Sequence, residues 1–203
     1  MHLYLKLFVL IILLSPRLTA QTQTFESYYN QGREKLKSRD FKRAVVDFTI
    51  ALEIDERAEA YVGRAQAKQY LEDHTGALQD YTEALRLSPH NAVIYNSLGN
   101  IYDSMRNPQD AILSYDKSLS LDSTYTNAYY NRAIAFFNVK NYQRAKEDFL
   151  KVVQLSPEDS EAWIGLGLSQ YELDEKEQAC TSFLKAQKLN ISMAKEYLGK
   201  YCQ

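Results

Sequence analysis

The stretch that decides the fold runs from Ala58 to Asn91 and reads AEAYVGRAQAKQYLEDHTGALQDYTEALRLSPHN, which is 34 residues. Tyr61 and Ala65 are four residues apart, a spacing that puts both on one face of a first helix. A polar turn follows, and Pro89 ends a second helix because proline cannot continue one. The matching face of the second helix carries Ala77, Tyr81 and Ala84.

The same pattern occurs once upstream and three times downstream of this stretch. The five units cover residues 25–57, 58–91, 92–125, 126–159 and 160–193, and the first is one residue short at 33. We number positions from the first residue of each unit. Position 4 is aromatic (Tyr28, Tyr61, Tyr95, Tyr129, Trp163), position 20 is alanine (Ala44, Ala77, Ala111, Ala145, Ala179) and position 24 is aromatic (Phe48, Tyr81, Tyr115, Phe149, Phe183).

This pattern resembles tetratricopeptide repeats (TPR), whose 34-residue period carries aromatic, small, alanine and closing proline positions. Small residues let the two helices of a unit approach closely, and aromatic residues fill the space on either side. The resemblance implies an all-α protein, a right-handed α-solenoid of five helix-turn-helix units with a concave groove. The closing proline is replaced in three units, by Glu56, Ser123 and Ile191.

The last ten residues, 194–203, are predicted to form a short capping helix. Tyr197 falls at position 4 of an incomplete sixth unit, and the ends of a solenoid need a covering element. If the protein is exported, we expect Cys180 and Cys202 to form a disulfide that attaches this helix to the fifth unit. The terminal Tyr201-Cys202 pair also resembles the ends of exported repeat proteins of the Bacteroidetes type.

Residues 1–20 have the features of a secretory signal peptide. Lys6 precedes an apolar run from Leu7 to Leu14, and Ala20 supplies a small residue for cleavage. A disordered lead is predicted for 21–24, and the protein is expected to be periplasmic or secreted. The alternative is an uncleaved anchor, so membrane contact is expected only through a retained N-terminal segment or a partner.

The composition disfavours several classes of function. A net charge of -2 argues against a nucleic-acid partner. The sequence has no glycine-rich phosphate loop and no nucleophile elbow. His74 and His90 fall in different loops without cysteine nearby, so no metal site is predicted. We therefore expect neither an enzyme nor a cofactor.

Positions 2, 5, 9, 12 and 13 of each unit are expected to face the concave groove, and two groups on that face are candidates for binding. One is a group of asparagines, whose paired donors and acceptors suit the backbone of an extended peptide. The other is an apolar strip that suits an apolar side chain or a partner helix. The alternatives are that the asparagines are merely tolerated and that the strip packs against the cap. The asparagines are Asn96, Asn100, Asn127 and Asn131, of which Asn131 is at position 6. The strip consists of Tyr130, Ile134, Phe137, Leu168 and Tyr171.

The sequence thus predicts an exported scaffold that binds a protein or peptide in its groove. One alternative is a structural subunit of an envelope assembly that docks through its convex or cap surface. Another is a cytosolic co-chaperone, which requires the N-terminus to be retained. Family members that clamp a peptide carboxylate use Lys and Arg beside Asn. Asn100 and Asn131 match the asparagines of that clamp, but Asn96, Glu161 and Gly165 occupy its cationic positions, so the clamp is incomplete.

Overall fold

A computed structural model describes residues 24–189 and 191–202, which form eleven α-helices. The predicted signal peptide and residues 21–23 lie outside the described residues. Within the described part, no helix is long and apolar enough to cross a membrane. The first helices of the units are α1 (Phe25–Lys37), α3 (Ala58–Tyr70), α5 (Ala92–Ser104), α7 (Thr126–Asn138) and α9 (Ser160–Glu172); the second are α2 (Phe41–Ile54), α4 (His74–Leu87), α6 (Pro108–Leu121), α8 (Tyr142–Leu155) and α10 (Lys176–Leu189), followed by α11 (Ile191–Tyr201).

The turn between the two helices has the same conformation in every unit. Position 15 adopts a left-handed backbone, with φ between 58° and 63°, although none of the five residues is glycine. In the first four units the next residue caps the second helix: Asp73 Oδ1, for example, accepts from the backbone N of Gly76 at 2.9 Å. The sequence predicted polar turns here, but not their left-handed residues, which are Arg39, Glu72, Arg106, Lys140 and Asp174.

Thr24 belongs to the start of the first unit. Its Oγ1 accepts a hydrogen bond from the backbone N of Ser27 at 3.3 Å, so it caps α1. The sequence placed this residue in the disordered lead. Threonine in front of an acidic first turn is a favourable cap, since its hydroxyl satisfies an otherwise unpaired N–H group.

The units stack into an α-solenoid, as the sequence predicted. The two helices of each unit pack on each other, and each second helix packs on the first helix of the next unit. First helices also contact one another along the stack, α1 with α3, α5 with α7 and α7 with α9. The first helices therefore form an inner layer, and the groove is the surface of that layer. The short helix α11 ends the stack against α10.

The core lies between the two helices of each unit and between neighbouring units. The position-20 alanines are fully buried, and so are the aromatics at position 24. Glycines make this packing possible: a Cβ added at Gly99 would lie 2.4 Å from Cε1 of Tyr115. The aromatics at position 4 are less buried than expected. Tyr61 is 9% exposed, whereas Tyr95 and Tyr129 are half-buried, because a tyrosine at the edge of a core keeps its hydroxyl near water.

Three units contain a buried carboxylate at position 23 that the sequence analysis did not identify. Each pairs with a cation on the first helix of the same unit. The Asp80 carboxylate accepts from Arg64 Nη2 at 2.7 Å and from Arg64 Nε at 2.9 Å. The remaining pairs are Lys68 with Asp80, Lys35 with Asp47, and Arg132 with Asp148. A buried charge requires such a partner, so these pairs fix how the two helices of a unit face each other.

The cap helix begins earlier than the sequence suggested, at Ile191 rather than at residue 194. Ile191, at position 32 of the fifth unit, is the first residue of this helix. Tyr197 stacks on Phe183 with ring centroids 5.6 Å apart. The Sγ atoms of Cys180 and Cys202 are 2.05 Å apart, at disulfide distance, as the sequence predicted.

Candidate binding groove

Three of the four predicted asparagines meet in one polar network between units 3 and 4. Asn131 Nδ2 donates to the Oδ1 atoms of Asn96 and Asn100, both at 3.0 Å. The Tyr115 hydroxyl lies 2.8 Å from Asn100 Oδ1 and 2.7 Å from Asp103 Oδ2. Both N–H groups of the Asn131 amide are therefore used inside the protein. This network joins α5, α6 and α7 at the middle of the groove.

The residues of this network differ in exposure, and burial changes the pKa of two of them. Asn96 is 6% exposed, whereas Asn100 and Asn131 are half-buried. Burial raises the pKa of Asp103 above its usual range, although the hydrogen bond from Tyr115 opposes the shift. Burial also raises the pKa of Tyr115. The fourth predicted residue, Asn127, is exposed and lies outside the network.

Four of the five predicted strip residues line one cavity of about 370 Å³ in the groove of units 4 and 5. We call this cavity the C-terminal pocket. Tyr130, Ile134 and Phe137 contribute from α7, and Leu168 contributes from α9. The remaining lining residues are Phe149, Ile164, Gly165, Tyr197 and Glu161. The side chains that line the pocket are thus apolar apart from one carboxylate and two phenol hydroxyls.

A glycine and a tyrosine shape the C-terminal pocket. A Cβ at Gly165 would lie 2.5 Å from Cε1 of Phe149, so only glycine lets that ring take its place in the lining. The Tyr130 hydroxyl lies 3.2 Å from Glu161 Oε2. Burial, followed by the charge of Glu161, raises the pKa of Tyr130 to about 12. Tyr130 therefore acts as a neutral hydrogen-bond donor to Glu161.

The fifth strip residue, Tyr171, does not line the pocket. Its ring packs on Tyr201 of the cap helix with centroids 4.5 Å apart. The alternative expectation, that the strip packs against the cap, therefore holds for Tyr171. Leu168 contacts both the pocket and the cluster with the cap. The cap also forms part of the pocket wall through Tyr197.

A second cavity, of about 540 Å³, lies in the groove of units 1 to 3, and we call it the N-terminal pocket. The sequence analysis did not select it, because its lining residues mix charged and apolar types. The sequence nevertheless contained a pattern that indicates this pocket, since positions 5, 9, 12 and 13 were expected to face the groove. From α1 these positions supply Tyr29, Arg33, Leu36 and Lys37.

Metal chemistry receives no support from the part of the chain that the structure describes. There, no group of three or more His, Cys, Asp and Glu side chains is placed to hold a metal ion. His74 lies at the start of α4, and His90 lies in the loop between units 2 and 3.

Comparison with known families agrees with this architecture. Tetratricopeptide repeat models match residues 29–92, 92–125, 126–159 and 161–190. The chain belongs to the tetratricopeptide repeat family. A human relative, tetratricopeptide repeat protein 6, is 30% identical over 120 residues, which are 59% of this chain and 23% of that protein. The TPR chain described here therefore spans less than a quarter of that relative's length.

Several solved structures have similar folds. YrrB, described as a TPR protein with an unusual peptide-binding site, is 22% identical, with a TM-score of 0.71 over 86% of this chain and 91% of YrrB. The pilF protein of Pseudomonas aeruginosa is 21% identical, with a TM-score of 0.77 over 86% of this chain and 80% of pilF. PilW, a type IV pilus biogenesis factor, is 22% identical, with a TM-score of 0.72 over 81% of this chain and 77% of PilW. At these identities the likeness shows the fold.

TPR solenoids present an extended concave surface for binding, so the family indicates a protein-interaction scaffold rather than a typical enzyme. The groove geometry is consistent with that role. The partner and the surface that contacts it have to be argued from the side chains of this chain.

Proposed function

We propose that this TPR protein is exported and binds a protein or peptide partner in its concave groove, with the C-terminal pocket as the main contact. The observation that carries the proposal is the pocket itself, an apolar cavity of about 370 Å³ that lies on the inner layer. Residues from α7, α8, α9 and α11 form it, so its walls are in place before a partner arrives. A preformed site reduces the ordering cost of binding.

Two features support export. The apolar run from Leu7 to Leu14 has the length and flanking residues of a signal peptide. The pair Cys180–Cys202 lies at disulfide distance, and disulfides persist in oxidising compartments. Intact-mass measurement of the exported protein is expected to show a chain that begins at Gln21. A chain that begins at Met1, or two thiols that react with an alkylating reagent without prior reduction, would contradict this part of the proposal.

The groove is tested with two pocket variants and one control variant. Ile134→Ser and Phe137→Ala change the C-terminal pocket, and Leu150→Ala changes an exposed leucine on the second helix α8. The wild-type chain is cross-linked in the native envelope, and its partners are identified by mass spectrometry and quantified. We expect pocket variants that keep a wild-type circular dichroism spectrum to lose about 90% of the cross-linked partner. Loss of an apolar anchor in a buried contact costs more than about 1 kcal/mol, which is the basis for that expectation.

The Leu150→Ala variant is expected to retain the partner. Unchanged cross-linking in both pocket variants would contradict groove binding.

A second candidate function is a structural subunit that docks through its convex surface. The observation in its favour is a set of exposed leucines on the outer layer. Leu113, Leu150 and Leu184 are 63%, 45% and 48% exposed on three successive second helices. The same experiment separates the two candidates, because loss of partner in Leu150→Ala and retention in Ile134→Ser would favour the convex surface.

A further inference from the structure

We infer that the C-terminal pocket binds one bulky apolar side chain of an extended peptide in which a lysine or arginine lies next to that side chain. This inference rests on the proposed groove function and specifies the chemistry of its partner. Three observations carry it: the size of the pocket, its single carboxylate, and the distribution of charge along the inner layer of helices.

The size of the pocket fits a side chain. Its volume of about 370 Å³ lies at the small end of the range of roughly 300–1,000 Å³ found for ligand pockets. Aliphatic and aromatic side chains form its walls, so an aromatic or large aliphatic group would exchange water for apolar contacts there. The pocket lies on the inner layer beside the cap, so the rest of an extended chain has the groove of the preceding units available to it.

The carboxylate indicates what lies beside the apolar side chain. Glu161 is the one charged residue that lines the pocket. Its side chain accepts a hydrogen bond from the Tyr130 hydroxyl, and among residues 24–189 and 191–202 it forms no ion pair. It is solvent-exposed, so it is available to a cation of a bound peptide. Adjacent residues of an extended chain are about 3.3 Å apart along the strand, which puts a neighbouring residue within reach of Glu161.

The inner layer lacks free cations in this half of the molecule. The helices α5 and α9 contain no Lys or Arg, and α7 contains only Arg132. Arg132 is occupied, since it pairs with Asp148 and with Asp116. A basic residue in the groove would therefore meet Glu161 without competition from a cation of these helices. An acidic residue there would face the same charge, with no unpaired cation on α5, α7 or α9 to offset it.

The other half of the groove has a different balance of charge. Arg33 and Lys37 line the N-terminal pocket together with Glu59, so two cations accompany its one carboxylate, whereas the C-terminal pocket has Glu161 and no lining cation. This asymmetry makes the charge around the C-terminal pocket a local property of units 4 and 5. For this reason we place a basic residue only next to the peptide side chain that occupies the C-terminal pocket.

The test uses synthetic peptides with blocked ends and the full oxidised chain. Three heptapeptides share the sequence Gly-Ser-X-Z-X-Ser-Gly. In the first peptide X is lysine and Z is phenylalanine. In the second X is glutamate and Z is phenylalanine, and in the third X is lysine and Z is alanine. Affinities are measured by isothermal titration calorimetry at low and at physiological salt. We expect the first peptide to bind about 10-fold more tightly than either of the others, and its advantage over the second to shrink as salt screens the charges.

The variant Glu161→Gln separates the charge from the cavity. It is expected to bring the lysine and glutamate peptides to within about 2-fold of each other while leaving the preference for phenylalanine over alanine. Glu158→Gln, in the exposed loop before α9, is the matched control and is expected to change neither ratio.

Each other outcome has a definite meaning. If the wild-type protein binds the lysine and glutamate peptides with equal affinity, this inference is wrong. If Ile134→Ser also weakens the binding of both peptides, the groove-binding proposal still stands. If no peptide binds, or if Ile134→Ser has no effect on binding, the pocket is not a peptide site and both proposals fail. Dimerisation in sedimentation velocity that Ile134→Ser abolishes would identify a second copy of this chain as the occupant and would also overturn the inference.

Discussion

Single glycines determine how closely the helices of this TPR protein approach. Gly99 lies on α5 directly over the buried ring of Tyr115, and that ring is held by its hydroxyl contacts with Asn100 and Asp103. A methyl group at Gly99 would overlap a ring that cannot move without breaking these contacts. Gly199 on α11 is the opposite case, since a Cβ there meets nothing within 4 Å.

These two glycines allow a paired prediction on the free energy of unfolding. We expect Gly99→Ala to lower stability by about 1–2 kcal/mol, because overpacking of about 1–3 kcal/mol exceeds the gain in helix propensity of up to about 1 kcal/mol. Gly199→Ala is expected to leave stability unchanged or to raise it by about 0.5 kcal/mol. Urea denaturation followed by circular dichroism measures both. A Gly99→Ala variant as stable as wild type would show that Tyr115 can relocate.

Among the elements, the cap helix α11 connects stability to binding. Its Tyr197 and Tyr201 stack on Phe183, and the Cys180–Cys202 pair attaches its end to α10. Tyr197 also lines the C-terminal pocket. The same helix therefore covers the end of the solenoid and completes the site, so release of the cap should remove one wall of the pocket.

The cap is tested by Cys202→Ser and by reduction of the wild-type chain. The two cysteines are 22 residues apart, and a cross-link over such a loop is worth about 3 kcal/mol in the chain-entropy model. We expect hydrogen exchange of α11 to accelerate strongly, exchange of α1 to α4 to stay as in wild type, and the affinity for the phenylalanine peptides to fall. Wild-type protection of α11 after reduction would mean that ring stacking alone holds the cap.

At the scale of the whole molecule, each unit contacts its neighbours rather than a common centre. Stability in such an array is approximately a sum of unit and interface contributions. The C-terminal pocket draws its lining from units 4 and 5 and the cap, whereas the N-terminal pocket draws on units 1 to 3. Damage at one end of the solenoid should therefore leave the site at the other end in place.

Phe48→Ala tests this independence. Phe48 is fully buried between α1 and α3, and truncation of a buried phenylalanine costs about 3–5 kcal/mol. We expect hydrogen exchange to increase in α1 and α2 first and the affinity of the C-terminal pocket for the lysine-phenylalanine peptide to change by less than about 2-fold. Loss of protection in all units at once, together with loss of peptide binding, would instead show a single cooperative domain.

Much of the architecture was predictable because it is local. The 34-residue period, the position-20 alanines and the position-24 aromatics are patterns at helical spacing within one unit, and they led correctly to an α-solenoid with a short C-terminal helix. The left-handed residues such as Lys140 were not predictable in the same way. Each is imposed by the reversal between two packed helices, and the residue type itself does not favour that conformation.

The candidate site depended on contacts between units. By itself, the sequence predicted which positions face the groove, and it paired Cys180 with Cys202. Only the tertiary structure decided that Asn131 bonds to Asn96 and Asn100, that Tyr171 lies under the cap, and that Tyr197 and Glu161 border one pocket. The physical reason is how far apart along the sequence the contacting residues lie. A helical face is set by neighbours three or four residues apart, whereas these contacts join residues about one repeat apart, whose distance depends on how closely the glycines and alanines let successive units pack.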